Sequence, residues 1–198
     1  MFYISIVFNP LKINLLEIEN KIYTLEEYFE FEQNSETRHE FVEGQIIPIP
    51  QKNKISNQIA GRLYIYFLEF LYGAVFDVFL KTIKLSTVRN RRYRYPDVMI
   101  VPTGDDEDEY IVYQPLLVAE VYSPSTEKTD RNDKLKEYSK IPSVQYYLLV
   151  SQEEPFIELY RRNGDIFEYT FFTEKTDVIN FPFFDIKFTL NDIYKKIL

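Results

Sequence analysis

The chain has 198 residues, 45% hydrophobic and 27% charged, a balance that suits one soluble globular domain with its own core. It holds no cysteine and a single histidine, His39, which removes disulfides, thiol nucleophiles, cysteine-bound metals and multi-histidine sites, and makes a serine–histidine triad improbable. With those excluded, hydrolytic chemistry here must rest on carboxylates, lysines and a hard cation such as magnesium, while a net charge of −8 argues against non-specific coating of nucleic acid.

Residues 1–22 are weakly patterned and read as an N-terminal extension, with residues 23–198 as a single domain. Within the extension, Phe2–Phe8 is too short to span a membrane, lacks a preceding positive region and is broken by Asn9-Pro10. A cytoplasmic protein with no membrane attachment is therefore expected. Thr24-Leu25-Glu26-Glu27 forms a capping box that starts a helix carrying Tyr28, Phe29 and Phe31. Residues 38–50 read as a hairpin turning at Glu43-Gly44. Ser56 or Asn57 caps a second helix that carries Ile59, Leu63, Phe67, Leu68 and Leu71 and ends at Gly73.

Strands are then expected over residues 74–80 and 82–86, followed by a turn at Arg89–Arg92. Residues 94–102 read as another strand with Asp97 at its start, and residues 104–109 as an acidic, solvated loop without the spacing of a calcium loop. Leu116–Tyr122 has the unbroken apolar character of a strand buried on both faces, interrupted only by Glu120. Ser123-Pro124-Ser125-Thr126 ends it and leads to a short helix over Asp133–Ser139. Three strands, over 145–151, 156–162 and 165–172, finish the sheet, the last two joined by a turn at Arg162–Asp165, and a short helix near Asn191–Ile197 closes the chain. The fold class is α/β, with a mixed central β-sheet flanked by helices.

Two acids stand out because they sit on apolar strands. Glutamate is rarely buried unless it is paired or binds a cation. If the strands of Asp97 and Glu120 are neighbours, the two carboxylates converge and one would be driven to protonate. A divalent cation resolves that conflict; pairing of each acid with a buried Lys or Arg is the alternative. Four arginines, Arg89, Arg91, Arg92 and Arg94, lie beside Tyr93 and close to Asp97. They fit either a phosphate grip or a solvated hairpin tip, and Lys52 and Lys54 could join the first. His39 reads as a strand residue, and Tyr138 as helix core.

Tyr95-Pro96-Asp97-Val98 followed by Ala119-Glu120-Val121-Tyr122-Ser123-Pro124-Ser125-Thr126 resembles the core motifs of the Uma2 family, within the PD-(D/E)XK nuclease superfamily. The likeness extends to Leu25-Glu26-Glu27-Tyr28, to Arg38–Gly44, to Asp130–Tyr138 and to Ile141-Pro142-Ser143, and so covers roughly residues 23–195. The superfamily places a lysine two residues after the glutamate, but position 122 here is tyrosine. The matching lysine stands on the following helix as Lys134, with Lys136 as the fallback on a different helix face.

What the resemblance implies is a restriction-endonuclease-like fold and an endodeoxyribonuclease dependent on Mg²⁺, with Mn²⁺ as a substitute. Asp97, Glu120 and the backbone carbonyl of Val121 would hold the metal, Glu40 would orient the attacking water, and Lys134 would position that water and stabilise charge on the transition state. DNA would be the partner, and a homodimer would suit the cutting of two strands. The number of metals stays open. The second expectation, from the acidic charge and the missing E-x-K lysine, is a catalytically silent nuclease fold that serves as a binding or assembly module.

Overall fold

The structure is a computed structural model that describes residues 21–104 and 108–198. Apart from Lys21 and Ile22, the expected N-terminal extension lies outside the described residues, as does the centre of the acidic loop. The chain divides into two compact units, Met1–Ile49 and Pro50–Leu198.

The described part of the first unit is a helix and a hairpin. Helix α1 (Leu25–Asn34) starts at the expected capping box: the Thr24 hydroxyl accepts from the Glu27 N–H and the Glu27 carboxylate accepts from the Thr24 N–H. Strands β1 (His39–Val42) and β2 (Gln45–Pro48) pair antiparallel and turn at Glu43-Gly44. Both turn residues have positive φ, 51° and 87°, as the tight hairpin turn requires. Gly44 has a second constraint, since a Cβ there would lie 2.6 Å from the Ile22 side chain. Tyr28 ties helix to hairpin by stacking on Phe41 and donating its hydroxyl to the His39 carbonyl.

In the second unit, helix α2 (Lys54–Phe70) begins earlier than the sequence suggested. Its cap is Asn53, whose side chain accepts from the Ser56 N–H at 2.8 Å, while Ser56 itself is buried in the first turn. The main sheet has six strands in the order β11-β10-β9-β8-β6-β3. They are β3 (Phe76–Leu80), β6 (Val98–Pro102), β8 (Leu117–Tyr122), β9 (Tyr146–Ser151), β10 (Ile157–Asn163) and β11 (Ile166–Phe172). Only the β8–β9 pair is parallel. A parallel pair needs a crossover. Here it is helical: α3 (Glu127–Thr129), a π-helical turn (Asp130–Lys134) and α4 (Leu135–Ser139).

Beside this sheet, β4 (Lys84–Val88) pairs antiparallel with β5 (Arg92–Arg94) and parallel with β7 (Ile111–Val112). The single strand expected over 94–102 is therefore two strands in different sheets. Pro96, which cannot donate to a ladder, stands in the break, and Asp97 is the last residue before β6. A further hairpin, β12 (Val178–Phe181) with β13 (Ile186–Thr189), was not anticipated. The closing helix α5 (Leu190–Tyr194) carries its own capping box at Thr189 and Asp192.

The main sheet is covered on both faces, which explains the unbroken apolar character of β8. Leu117, Ala119 and Val121 join α2, the β12–β13 hairpin and α5 in one cluster, with Leu63, Phe67 and Phe188 among its members. Val118 and Tyr122 join the other, with Tyr138 from α4, Ile141 and Tyr147. Alternation is present in β8 but hidden, because each parity meets a core. Glu120 has the parity of the second face, under the crossover helix.

Candidate active site

The register of β6 on β8 sets Val98 opposite Ala119, so Asp97 lies beside Glu120 at the end of the pair. Asp97 is buried, and its Oδ2 accepts from the Val121 N–H at 2.7 Å. The same oxygen accepts from Lys52 Nζ at 3.0 Å, and Lys52 Nζ also donates to the Val121 carbonyl at 2.7 Å. One ammonium thus bridges two of the three groups expected to hold a metal. Lys81, whose backbone N–H donates to the Asp97 carbonyl at 3.1 Å, is a second lysine of this corner. Burial pushes its ammonium pKa down, with Asp97 opposing that and Lys52 adding to it.

Glu120 is 2% exposed, and both hydrogen bonds it accepts fall on Oε1: from Lys134 Nζ at 2.9 Å and from the Tyr138 hydroxyl at 2.9 Å. Burial raises its carboxyl from 4.5 to about 7; Lys134 works against the shift, while Asp130 and Asp97 add to it. Lys134 Nζ also stands 3.0 Å from Asp130 Oδ1. Asp130, Lys134 and Tyr138 lie four residues apart in turn, and each such step overshoots an α-helical turn of about 3.6 residues. The π turn over Asp130–Lys134 takes up an extra residue and compensates, keeping all three side chains on the sheet-facing side. Lys136 is exposed on another face. Of the two lysines considered from the sequence, it is Lys134 that reaches Glu120.

Each acid is therefore paired with a lysine, as the alternative reading of the sequence held. The oxygens nonetheless suit a hard cation. Asp97 Oδ2 and the Val121 carbonyl already converge on one positive group, and Oε2 of Glu120 is the oxygen with capacity left for a further partner. Among the described residues no group of three or more acidic or histidine side chains is arranged to hold a metal by itself, and the Val121 carbonyl is the further oxygen beside Asp97. Glu40 is on β1 of the first unit, opposite Ile47 across the hairpin. His39 is buried there, its Nδ1 3.1 Å from Glu32 Oε2, as a strand residue.

The four arginines, read from the sequence as either a phosphate grip or a solvated hairpin tip, differ in their surroundings. Arg94 is buried, donating from Nε to Glu137 Oε2 at 2.9 Å and from a terminal nitrogen to Oε1 at 2.6 Å. Arg92 adds a bond to Oε1 at 3.1 Å, and Thr87 donates to Oε2. This bidentate pairing fastens α4 to β4 and β5 through Arg94. Arg89 and Arg91 are exposed, Arg89 over the ring of Tyr113. The C-terminal end of α4 has its own anchor in Arg162, which donates to the carbonyls of Ser139, Ile141 and Val144. Ser143 donates to the Pro115 carbonyl, just before β8. The helix bearing Lys134 is thus held at its middle through Glu137 and at its C-terminal end through Ser139.

Sequence reasoning grouped Lys52 with the phosphate-binding candidates and Tyr138 with the helix core. Tyr138 was accessible to it, since the four-residue step from Lys134 places both on one helix face. Lys52 was not, because it comes from an irregular loop 45 residues before Asp97.

The fold has a counterpart among solved structures. A crystal structure titled as a putative nuclease belonging to DUF820, from Anabaena variabilis ATCC 29413, matches with a TM-score of 0.72 over 88% of this chain and 99% of that one, at 20% sequence identity. This places the protein in the α/β, restriction-endonuclease-like class of folds. More particularly, the chain belongs to the Uma2 family, described as "Putative restriction endonuclease", whose model matches residues 25–191. Two relatives from Synechocystis sp. (strain ATCC 27184 / PCC 6803 / Kazusa) are the uncharacterized proteins slr1290 and sll1609. The first is 36% identical over 142 residues, spanning 71% of this chain and 74% of its own length. The second is 32% identical over 148 residues, spanning 73% and 84%.

Proposed function

We propose that the protein is a divalent-metal-dependent endonuclease that hydrolyses DNA phosphodiesters. The observation that carries this reading is the placement of Asp97, at the start of β6, beside Glu120 on the adjacent strand β8, with Lys134 against Glu120. Membership of a family described as "Putative restriction endonuclease" supports it. Asp97, Glu120 and the Val121 carbonyl would hold Mg²⁺ or Mn²⁺, which when bound supplies Lewis-acid polarisation of the phosphodiester and a lowered water pKa. The chain's own contribution is positional. The Val121 N–H fixes the Asp97 carboxylate, and the Tyr138 hydroxyl fixes Oε1 of Glu120. Lys134 holds an ammonium beside that oxygen, where it can steady an attacking water and the charge growing on the phosphoryl oxygens. Glu40 is proposed as a further acid for that water, and the exposed Arg89 and Arg91 as phosphate contacts.

The test is cleavage of supercoiled plasmid and of single-stranded DNA or RNA in Mg²⁺ or Mn²⁺. Nicking or linearisation is expected, with at least a hundredfold loss in Asp97→Ala and Glu120→Ala. No cleavage by the wild type, or equal cleavage by Asp97→Ala, would overturn the reading. The second reading, a silent nuclease fold used for binding, is favoured by one observation: the Lys52 ammonium bridging the Asp97 and Val121 oxygens, two of the three expected metal ligands. It predicts no metal-dependent rise in melting temperature.

A further inference from the structure

We propose that Lys52 is a tethered competitor for the divalent cation, filling the Asp97 and Val121 oxygens when metal is scarce and leaving when metal binds. The inference rests on the metal-dependent reading above and adds a control that reading does not contain. Lys52 Nζ lies 3.0 Å from Asp97 Oδ2 and 2.7 Å from the Val121 carbonyl. Those are full hydrogen-bond distances, and the two oxygens flank a single point. A magnesium ion on the same oxygens would stand about 2.0–2.1 Å from each. An ammonium and a metal ion cannot share that space, and two cations in contact repel. Occupancy by one excludes the other.

Placement and chemistry both favour exchange. Lys52 belongs to the irregular stretch between β2 and the Asn53 cap of α2, with a side chain 22% exposed, so the ammonium can swing out without disturbing a strand or helix. Asp97 is 3% exposed and its carboxylate needs a positive partner at all times. Lys52 meets that need without metal as the cation in contact with the carboxylate, with Lys81 adding a second positive charge to the same corner. The opposing cost falls on metal affinity, because every bound ion must first displace the lysine. A lysine on a flexible four-carbon stem suits such a role better than an arginine, whose planar fork would grip the carboxylate bidentately.

The test uses the full chain and Mn²⁺ as probe, with affinity read by calorimetry or by the paramagnetic resonance of free Mn²⁺. Lys52→Met is expected to bind Mn²⁺ at least tenfold more tightly than the wild type, and the gain should vanish in Lys52→Met/Asp97→Asn. In EDTA the Lys52→Met protein should melt several degrees lower than the wild type, and saturating Mn²⁺ should close the gap. Should Lys52→Met not fold without metal, Lys52→Gln, which keeps one donor for Asp97, takes its place with the same expected order of affinities. Asp97-dependent binding by the wild type with equal or weaker binding by both Lys52 variants overturns the competitor role and leaves the metal site standing. No Asp97-dependent binding by any protein overturns both.

Discussion

Two buried glutamates sit on or against the crossover helix, and they are held in opposite ways. Glu137 is 3% exposed and receives four donors spread over both oxygens, from Arg94 twice, Arg92 and Thr87. Glu120 is 2% exposed and receives two, both on one oxygen, while Asp97 and Asp130 press on it electrostatically. The first is a fastening: an anion matched to permanent cations, with its geometry closed. The second is an anion kept under strain, with one oxygen uncommitted and a proton affinity near neutrality. Burial alone does not separate structure from chemistry; the distribution of donors does.

The comparison breaks most visibly at Glu137. Glu137→Ala removes the buried carboxylate that Arg94, Arg92 and Thr87 share, and should cost about 3–5 kcal/mol of stability in urea unfolding. A loss under 1 kcal/mol would show that the cluster is not a fastening. Glu120→Gln should behave differently. The folded carboxyl, at about 7, lies above its unfolded value of 4.5. Its protonated form therefore favours the fold: that stability is complete below about pH 4.5 and is lost as pH rises through 7. In EDTA, wild-type stability relative to Glu120→Gln should fall across this window by an amount on the order of 2 kcal/mol. A pH-independent difference would contradict the strained state. The smallest effect belongs to Lys136→Ala, within about 0.5 kcal/mol of wild type and with unchanged cleavage, whereas Lys134→Ala should lose cleavage. The reverse order would show that the wrong face of the helix was chosen.

Much of this was legible in the sequence. Glu120 announced itself because a charge in an apolar strand has no cheap solution, and Asp97 because a neighbouring apolar strand began with another acid. Lys134 followed from the family's motifs. The Thr24 capping box and the Glu43-Gly44 turn were readable because both depend on residues a few positions apart. What was hidden is what arrives over long separations. Lys52 reaches Asp97 across 45 residues and Arg94 reaches Glu137 across 43, and no local pattern marks either lysine or arginine for its partner. In the β12–β13 hairpin, apolar residues on both parities of Val178–Phe181 hide the alternation of the first strand, while Ile186–Thr189 alternates but is only four residues long.

The π turn makes the crossover helix sensitive to length in a way substitutions do not probe. Each residue advances an α-helix by about 100° of rotation. Removing one residue between Asp130 and Lys134 would restore a regular helix and shift the phase of everything before it against everything after. Lys134 and Tyr138 could then stay on Glu120 only if Asp130, Arg131 and the Ser-Pro-Ser-Thr turn swung round the axis, and with them the Arg131–Glu158 bridge. The extra residue acts as a phase spacer, letting one short helix serve two fixed walls at once.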